Sequence, residues 1–242
     1  MLFQAYLILL VYFVLGAIAL CVISRRQGRQ AARGHRVKYV TYFVIIHVLF
    51  LSIVFSQHAF RLLSALIVVG GALELAKLFG QSGFNRRAFF AMSLALFVLV
   101  GSAFLHFGRL DQGLILFTFM VLSIFDAFSQ ISGQLLGRHR VAPLVSPSKT
   151  VEGVLGGALV ALASSLLLRE LAATDGRDTL FLASGIVFCA FNGDLAASKY
   201  KRTYGVKDFS VLFPGNGGIL DRFDSLIAGG AFVALLELLG AL

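Results

Sequence analysis

The chain has 242 residues, of which 58% are hydrophobic and 14% are charged. Soluble domains carry about a quarter charged residues, so this composition argues against a soluble enzyme and indicates a protein folded in a bilayer. The net charge of +9 does not indicate nucleic-acid binding, because no soluble module carries a basic patch with interleaved aromatic residues. Cys21 and Cys189 lie inside apolar runs without paired spacing, which excludes a disulfide framework.

Long apolar runs follow one another along the chain, each near the roughly 20 residues needed to cross about 30 Å of hydrocarbon. The first run lacks a basic start and a small-residue cleavage site, so we expect a retained span and not a signal peptide. We predict an all-α polytopic integral membrane protein of about eight transmembrane helices, with N-terminal helices in 1–110 and catalytic helices in 111–242 of one membrane domain. The predicted spans are 2–24, 39–56, 59–79, 88–107, 113–137, 153–171, 179–198 and 219–241.

The basic residues between these spans predict the orientation of the protein. One set of loops holds 17 of the 21 Lys and Arg residues, and the other side holds Arg61, Arg109, Arg169 and Arg177. Because cytoplasmic loops are enriched in Lys and Arg, we expect the first set to be cytoplasmic and both termini to be extracytoplasmic. The predicted cytoplasmic loops are 25–38, 77–87, 138–152 and 199–222.

Two polar stretches fall on the predicted cytoplasmic side. The first begins at Asp126 in the fifth span and continues through the 138–152 loop to Gly153. Its glycines are read equally well as helix-packing residues or as anion-binding residues at the start of a helix. The second stretch, 192–225, alternates carboxylates and cations and contains a glycine-rich turn at 215–218, for which close approach of a phosphate is favoured over a simple turn.

Carboxylates within apolar runs are the strongest functional signal, since each costs about 2.5–3.5 kcal/mol at the bilayer centre. Pairing with neighbouring Arg or Lys is the structural alternative. Hard oxygen ligands beside cations suit Mg²⁺ and a polyphosphate, so we favour such a site at the membrane edge. Helical spacing places Asp221 with Asp224, and Asp194 with Ser198, on shared faces.

The second stretch resembles the signature of the phosphatidate cytidylyltransferases. The matching residues are Ser198, Lys201, Arg202, Lys207, Asp208, Pro214, Gly217, Gly218, Asp221, Arg222 and Asp224, at the family's spacing. The segments starting at Asp126 and at Ser146 are similar to the family's upstream motif. The resemblance therefore covers about 120–225, and the first four spans match in hydrophobic character alone.

The resemblance implies an enzyme that joins CTP and phosphatidic acid into CDP-diacylglycerol and pyrophosphate, embedded in the bacterial inner membrane. It implies Mg²⁺, leaves a second, monovalent cation open, and suggests a homodimer. The implied metal ligands are Asp194, Asp221 and Asp224. The implied catalytic residues are Asp194, Asp221, Lys201, Arg202 and Lys207, and the implied substrate-binding residues are Asp126, Ser146, Lys149, Thr150, Ser198, Asp208, Gly217, Gly218 and Arg222.

Four positions depart from the family pattern. Asn216 stands at a family His, Ala197 at a family Glu, and Gln130 and Gln134 at an aromatic and a basic residue. The departures indicate a divergent branch. The alternatives are therefore a paralogue acting on another lipid phosphate or alcohol, and a membrane binding protein without catalysis; a transporter is disfavoured because no inverted repeat is visible.

Overall fold

The computed structural model describes residues 2–27, 29–213, 215 and 217–242. The elements in chain order are α1 (Leu2–Gln27), α2 (Arg29–Phe55), α3 (Gln57–Gln81), α4 (Arg87–Phe107), α5 (Gln112–Leu136), β1 (Arg140–Ala142), β2 (Ser146–Thr150), α6 (Val151–Leu167), α7 (Arg169–Ala172), α8 (Gly176–Thr203) and α9 (Leu220–Leu238). Each predicted apolar run lies mainly on one long helix, but the run 153–171 continues past the end of α6 at Leu167 into the short α7. Within the part of the chain that is described, the prediction of an all-α polytopic membrane protein is confirmed.

Five of these helices are long and apolar enough to cross a membrane: α3, α4, α5, α8 and the Leu2–Cys21 part of α1. The apolar segments Tyr39–Phe55 of α2 and Val151–Leu167 of α6 are shorter. α9 carries Asp221, Arg222, Asp224 and Glu237, which accounts for its absence from the apolar set. Polar residues start several helices: Ser56 caps α3 by accepting from the Ala59 amide, and Asp111 caps α5 by accepting from the Gly113 amide.

α5 is the central helix of the bundle. In its apolar segment 56% of the residues are buried, compared with 11% in α4. α5 packs closely on α6 because glycines line the contact: a Cβ at Gly157 would lie 2.7 Å from the Phe125 carbonyl oxygen, and a Cβ at Gly153 would lie 2.7 Å from the Ser129 carbonyl oxygen. Gly153 and Gly157 are therefore helix-packing residues, and Gly153 also lines the cavity described below.

A short antiparallel hairpin interrupts the helices between α5 and α6. Arg140 of β1 pairs with Thr150 of β2, and Ala142 pairs with Ser146. The sequence predicted a loop here, because the β2 segment is short, polar and contains proline. Thr150 ends the hairpin and caps α6 by accepting from the Gly153 amide at 3.2 Å. The hairpin thereby holds its polar side chains at the start of a helix.

Candidate functional site

A cavity of about 690 Å³ opens among α1, α2, α5, α6, β2, α8 and α9. One wall is mainly apolar and aromatic and is formed by α1 and α2, with Leu9, Tyr12, Phe13, Tyr39 and Tyr42 among its residues. The charged residues of the lining, here called the charged floor, are Asp126, Lys149, Asp194, Lys207, Asp208, Asp221, Arg222 and Asp224. A space with an apolar wall and a charged floor can hold a molecule that has a hydrocarbon part and an anionic part.

Most of the residues predicted for the site line this cavity. They come from α5, β2, α8, the loop after α8 and α9, and helix packing has brought them together from both polar stretches. These residues are Asp126, Ser146, Lys149, Thr150, Asp194, Lys207, Asp208, Asp221, Arg222 and Asp224. Ser198, Lys201, Arg202, Gly217 and Gly218 do not form part of its lining as described.

The Asp221 carboxylate accepts three hydrogen bonds. Its Oδ1 accepts from Lys201 Nζ at 2.6 Å, and its Oδ2 accepts from the Phe209 and Gly218 amides, each at 2.7 Å. The Asp221 and Lys201 side chains are 2% and 10% exposed, so the pair is buried. Lys201 Nζ also lies 5.2 Å from the centre of the Phe209 ring. Asp221 therefore holds the loop before α9 in place, with one acceptor position on Oδ1 left over.

Asp194 lies on α8 between two partners. Its Oδ2 forms an ion pair with Lys149 Nζ of the hairpin, and its Oδ1 accepts from Ser198 Oγ at 3.3 Å. The Ser198 contact confirms the predicted shared face of the helix. Ser198 orients the carboxylate, while the Lys149 contact ties the hairpin to α8 at the edge of the cavity.

Arg202 and the glycines of the signature have structural contacts. Arg202 donates to the Val145 carbonyl at 3.3 Å and to the Val206 carbonyl at 2.8 Å, joining the hairpin turn to the end of α8. Gly217 adopts a φ of 79°, which favours glycine. Gly218 approaches neighbouring side chains so closely that a Cβ there would lie 2.6 Å from Ser210 Oγ.

The donor set fits a magnesium ion in its chemistry. Asp126, Asp194 and Asp224 present carboxylates to one cavity from three helices. Mg²⁺ is usually held by one or two carboxylates together with substrate phosphates and water, so a complete cage of protein ligands is not required. Across the described ranges, no group of three or more His, Cys, Asp or Glu residues is arranged to hold a metal by itself.

Glu152 carries a further charge in the first turn of α6, directly before the predicted span 153–171. Its carboxylate accepts from the Arg138 amide at 2.9 Å and lies 2.6 Å from His139 Nδ1. These hydrogen bonds, the Arg138 amide first, lower the pKa of Glu152 to about 2. Glu152 is therefore ionised at neutral pH and fastens the end of α5 to the start of α6.

The model of the Cytidylyltransferase family matches residues 1–239 of the chain. The chain belongs to the Cytidylyltransferase family. It is similar to phosphatidate cytidylyltransferases of Staphylococcus epidermidis, at 40% identity over 149 residues, and of Staphylococcus saprophyticus, at 40% over 148 residues. The Staphylococcus aureus protein is 36% identical over 148 residues. Each alignment covers 60% of this chain and 56% of the relative, so the chain matches little more than half the length of these curated relatives.

Three of the departures from the family pattern have a place in the structure. Gln130 and Gln134 line the cavity, where they contribute neutral amides. Ala197 is partly buried against the apolar core. Asn216 and Pro214 lie outside the described residues.

Sequence reasoning missed Glu74, a buried carboxylate on α3 that contacts the loop before α9. The sequence did carry a sign of this residue, because Glu74 is the one acidic residue in the apolar run 59–79. An ionisable residue inside a membrane span indicates a functional role. It also missed the cavity's tyrosines on α1 and α2. No motif marks them, because aromatic residues are common throughout this chain.

Proposed function

We propose that this member of the Cytidylyltransferase family is a Mg²⁺-dependent CTP:phosphatidate cytidylyltransferase, which makes CDP-diacylglycerol and pyrophosphate for phospholipid synthesis. The observation that carries the proposal is the single cavity with an apolar wall on α1 and α2 and a charged floor. The apolar wall suits acyl chains, and the charged floor suits a phosphate monoester beside a nucleoside triphosphate. The names of the similar staphylococcal proteins support the same reaction.

In the proposed reaction a phosphate oxygen of the lipid attacks the α-phosphorus of CTP in line. A new phosphorus–oxygen bond forms, the bond from the α-phosphorus to the bridging oxygen breaks, and pyrophosphate leaves. The nucleophile is already an anion, so positioning and charge neutralisation provide most of the rate enhancement and no strong general base is needed.

The protein side chains have distinct roles in this proposal. Lys149, Lys207 and Arg222 bind and neutralise the phosphates from three separate segments. Asp194 and Asp224, with Asp126 nearby, would hold Mg²⁺, which when bound withdraws charge from the phosphate oxygens. Lys201 and Asp221 keep the loop before α9 in place.

We also propose that the cavity faces the cytoplasm of a bacterium, with both termini on the outer side of the inner membrane. The distribution of Lys and Arg residues supports this orientation. It would place the charged floor on the side where CTP is made. A homodimer and a second, monovalent cation remain predictions.

Incubation of the purified protein with CTP labelled at the α-phosphate tests the proposal. With Mg²⁺ and phosphatidic acid, the protein should produce a labelled product that partitions into chloroform, and addition of a chelator should abolish it. Asp194→Asn should lower turnover by about 100-fold or more, because the charge that faces the substrates is lost. Glu237→Gln, at the far end of α9, is the matched control and should retain activity.

The choice of acceptor separates the proposal from its alternatives. Gln130 and Gln134 change the chemistry of the cavity wall, and this observation favours testing other lipid phosphates and alcohols in the same assay. A product with another acceptor and none with phosphatidic acid would establish a divergent paralogue. Labelled CTP that binds without forming product from any acceptor would establish a binding protein, and either result would overturn the proposed reaction.

A further inference from the structure

Glu74 of α3 makes three hydrogen bonds with the loop between α8 and α9, here called the signature loop, and with the first residue of α9. Its Oε1 accepts from Ser210 Oγ at 2.7 Å and from the Ile219 amide at 2.9 Å, and its Oε2 accepts from the Leu220 amide at 2.9 Å. Glu74 is 7% exposed and forms no ion pair with the described residues. A buried carboxylate is costly unless it is compensated, and here the compensation comes entirely from groups of the segment 210–220.

The amides that Glu74 accepts from belong to the start of α9. Ile219 is the N-cap residue of this helix and makes no capping hydrogen bond with its own side chain. The first amides of a helix have no partner within the helix, and negative charge is favoured at this end. Glu74 therefore caps α9 from a helix that lies 145 residues earlier in the chain.

The surface of α3 is shaped for this contact. A Cβ at Gly71 would lie 2.8 Å from Leu220 Cδ2, and a Cβ at Gly70 would overlap the Ile219 side chain. The first residues of α9 therefore pack against one part of the α3 surface, which consists of Gly70, Gly71 and Glu74. A Cβ at Gly218 would overlap Glu74 Oε1, so the loop glycine is needed for the same close approach.

Asp221, like Glu74, accepts a hydrogen bond from the backbone that leads into α9. It accepts from the Gly218 amide, and Glu74 accepts from the next two amides, so two carboxylates share the three amides that lead into α9. Arg222 and Asp224 follow within the first turns and line the cavity. The position of α9 therefore sets where these two charged groups lie relative to Asp194.

We propose that Glu74 is a positioning residue for the cytidylyltransferase site, which fixes the start of α9 and so places Arg222 and Asp224 in the cavity. This inference rests on the proposed function for its kinetic consequence. Its structural consequence is independent of that function: the loop 206–219 should become more mobile when the Glu74 carboxylate is removed.

Glu74→Gln is the main test, because an amide of nearly the same size replaces one acceptor by a donor and removes the negative charge. Lys149 and Asp194 lie on other segments and stay in place. We therefore expect kcat to fall about tenfold or more and KM for CTP to rise, because Lys207 and Arg222 are two of the proposed phosphate-binding groups. Glu237→Gln makes the same chemical change at the other end of α9 and should leave both constants unchanged.

Fluorescence provides a readout that does not depend on activity. The chain has no Trp, and Val211 in the signature loop is 95% exposed, so Val211→Trp introduces a single reporter. Adding Glu74→Gln should lower the anisotropy of this Trp, because the loop that carries it moves more freely, whereas Glu237→Gln should leave the anisotropy unchanged. Anisotropy and kcat that both stay at the parent values in Glu74→Gln would overturn the inference.

Two further outcomes are decisive. If the parent protein makes no liponucleotide but Glu74→Gln frees the loop, the proposed reaction fails and the positioning role stands.

If Glu74→Gln does not fold, Ser210→Ala is the second test, because it removes the hydroxyl that donates to the Glu74 carboxylate from the loop. It should lower the anisotropy of the Trp and lower kcat by about threefold, as loss of one hydrogen bond predicts, and parent values of both would overturn the inference.

Discussion

Asp221 and Asp224 lie three residues apart on α9, and their carboxylates have different surroundings. Asp221 accepts from Lys201 and from two backbone amides. Asp224 lines the cavity and accepts from the Ser225 amide at 2.8 Å. Two carboxylates on the same helical face therefore have different contacts: Asp221 is bound to the loop, and Asp224 lines the cavity, where we propose that it faces the substrates.

Asp221→Asn and Asp224→Asn should separate these functions. Asp221→Asn leaves Lys201 buried without its counter-charge, and breaking a buried pair costs about 3–5 kcal/mol. We expect this variant to unfold at a clearly lower temperature in detergent and to lose activity as a consequence. Asp224→Asn should lose activity while its unfolding temperature stays close to that of the parent. An Asp221→Asn protein as stable as the parent would contradict the assignment.

The site residues could be predicted from the sequence as a set, and their individual roles could not. Periodicity placed Asp194 and Ser198 on one helical face, and the structure confirms the contact. The family resemblance implied that Lys201 and Arg202 bind phosphates, and this stays a prediction. Their described partners are Asp221 and backbone carbonyls, which periodicity did not indicate. Spacing determines which residues share a face of one helix, but the partner that covers the face comes from distant sequence.

At the scale of elements, apolar length was enough to predict the long helices, since each predicted run is helical in the described part of the chain. It could not predict the hairpin of β1 and β2, whose strands are short and polar. Nor could it decide whether the glycines of α6 bind anions or allow close packing. The structure shows that they allow close packing on α5, because a Cβ at Gly157 or Gly153 would lie 2.7 Å from a backbone oxygen of Phe125 or Ser129.

Gly157→Ala tests the close packing of α5 and α6. The added methyl group would lie 2.7 Å from the Phe125 carbonyl oxygen, so the helices must separate, at a cost of about 1–3 kcal/mol. Gly80→Ala on α3 is the control, because no atom lies within 4 Å of its Cβ position and alanine favours a helix. Thermal unfolding in detergent should show a lower midpoint for the first variant alone. Equal midpoints would contradict the packing role.

At the scale of the whole molecule, the signature segment is supported by the N-terminal helices. Glu74 caps α9, and Tyr200 of α8 donates to the Leu75 carbonyl of α3 at 2.8 Å. Aromatic residues of α1 and α2 form the apolar wall of the cavity. The first three helices therefore contribute to the cavity or to the loop beside it, although their sequences matched the family in hydrophobic character alone. Contacts that join residues more than 100 positions apart leave no local pattern from which to predict them.

The orientation of the whole molecule makes a final prediction that cysteine labelling can check. In a background with Cys21 and Cys189 replaced by Ala, single cysteines at Val211 and Leu242 report on opposite sides, since 211 lies in the proposed cytoplasmic loop and 242 at the C-terminus. Both positions are exposed, at 95% and 45%. A membrane-impermeant maleimide should label Leu242→Cys in spheroplasts with an intact inner membrane, and should label Val211→Cys only after that membrane is permeabilised. Labelling of Val211→Cys in intact spheroplasts, with Leu242→Cys protected, would reverse the orientation and place the charged floor of the cavity away from the side where CTP is made.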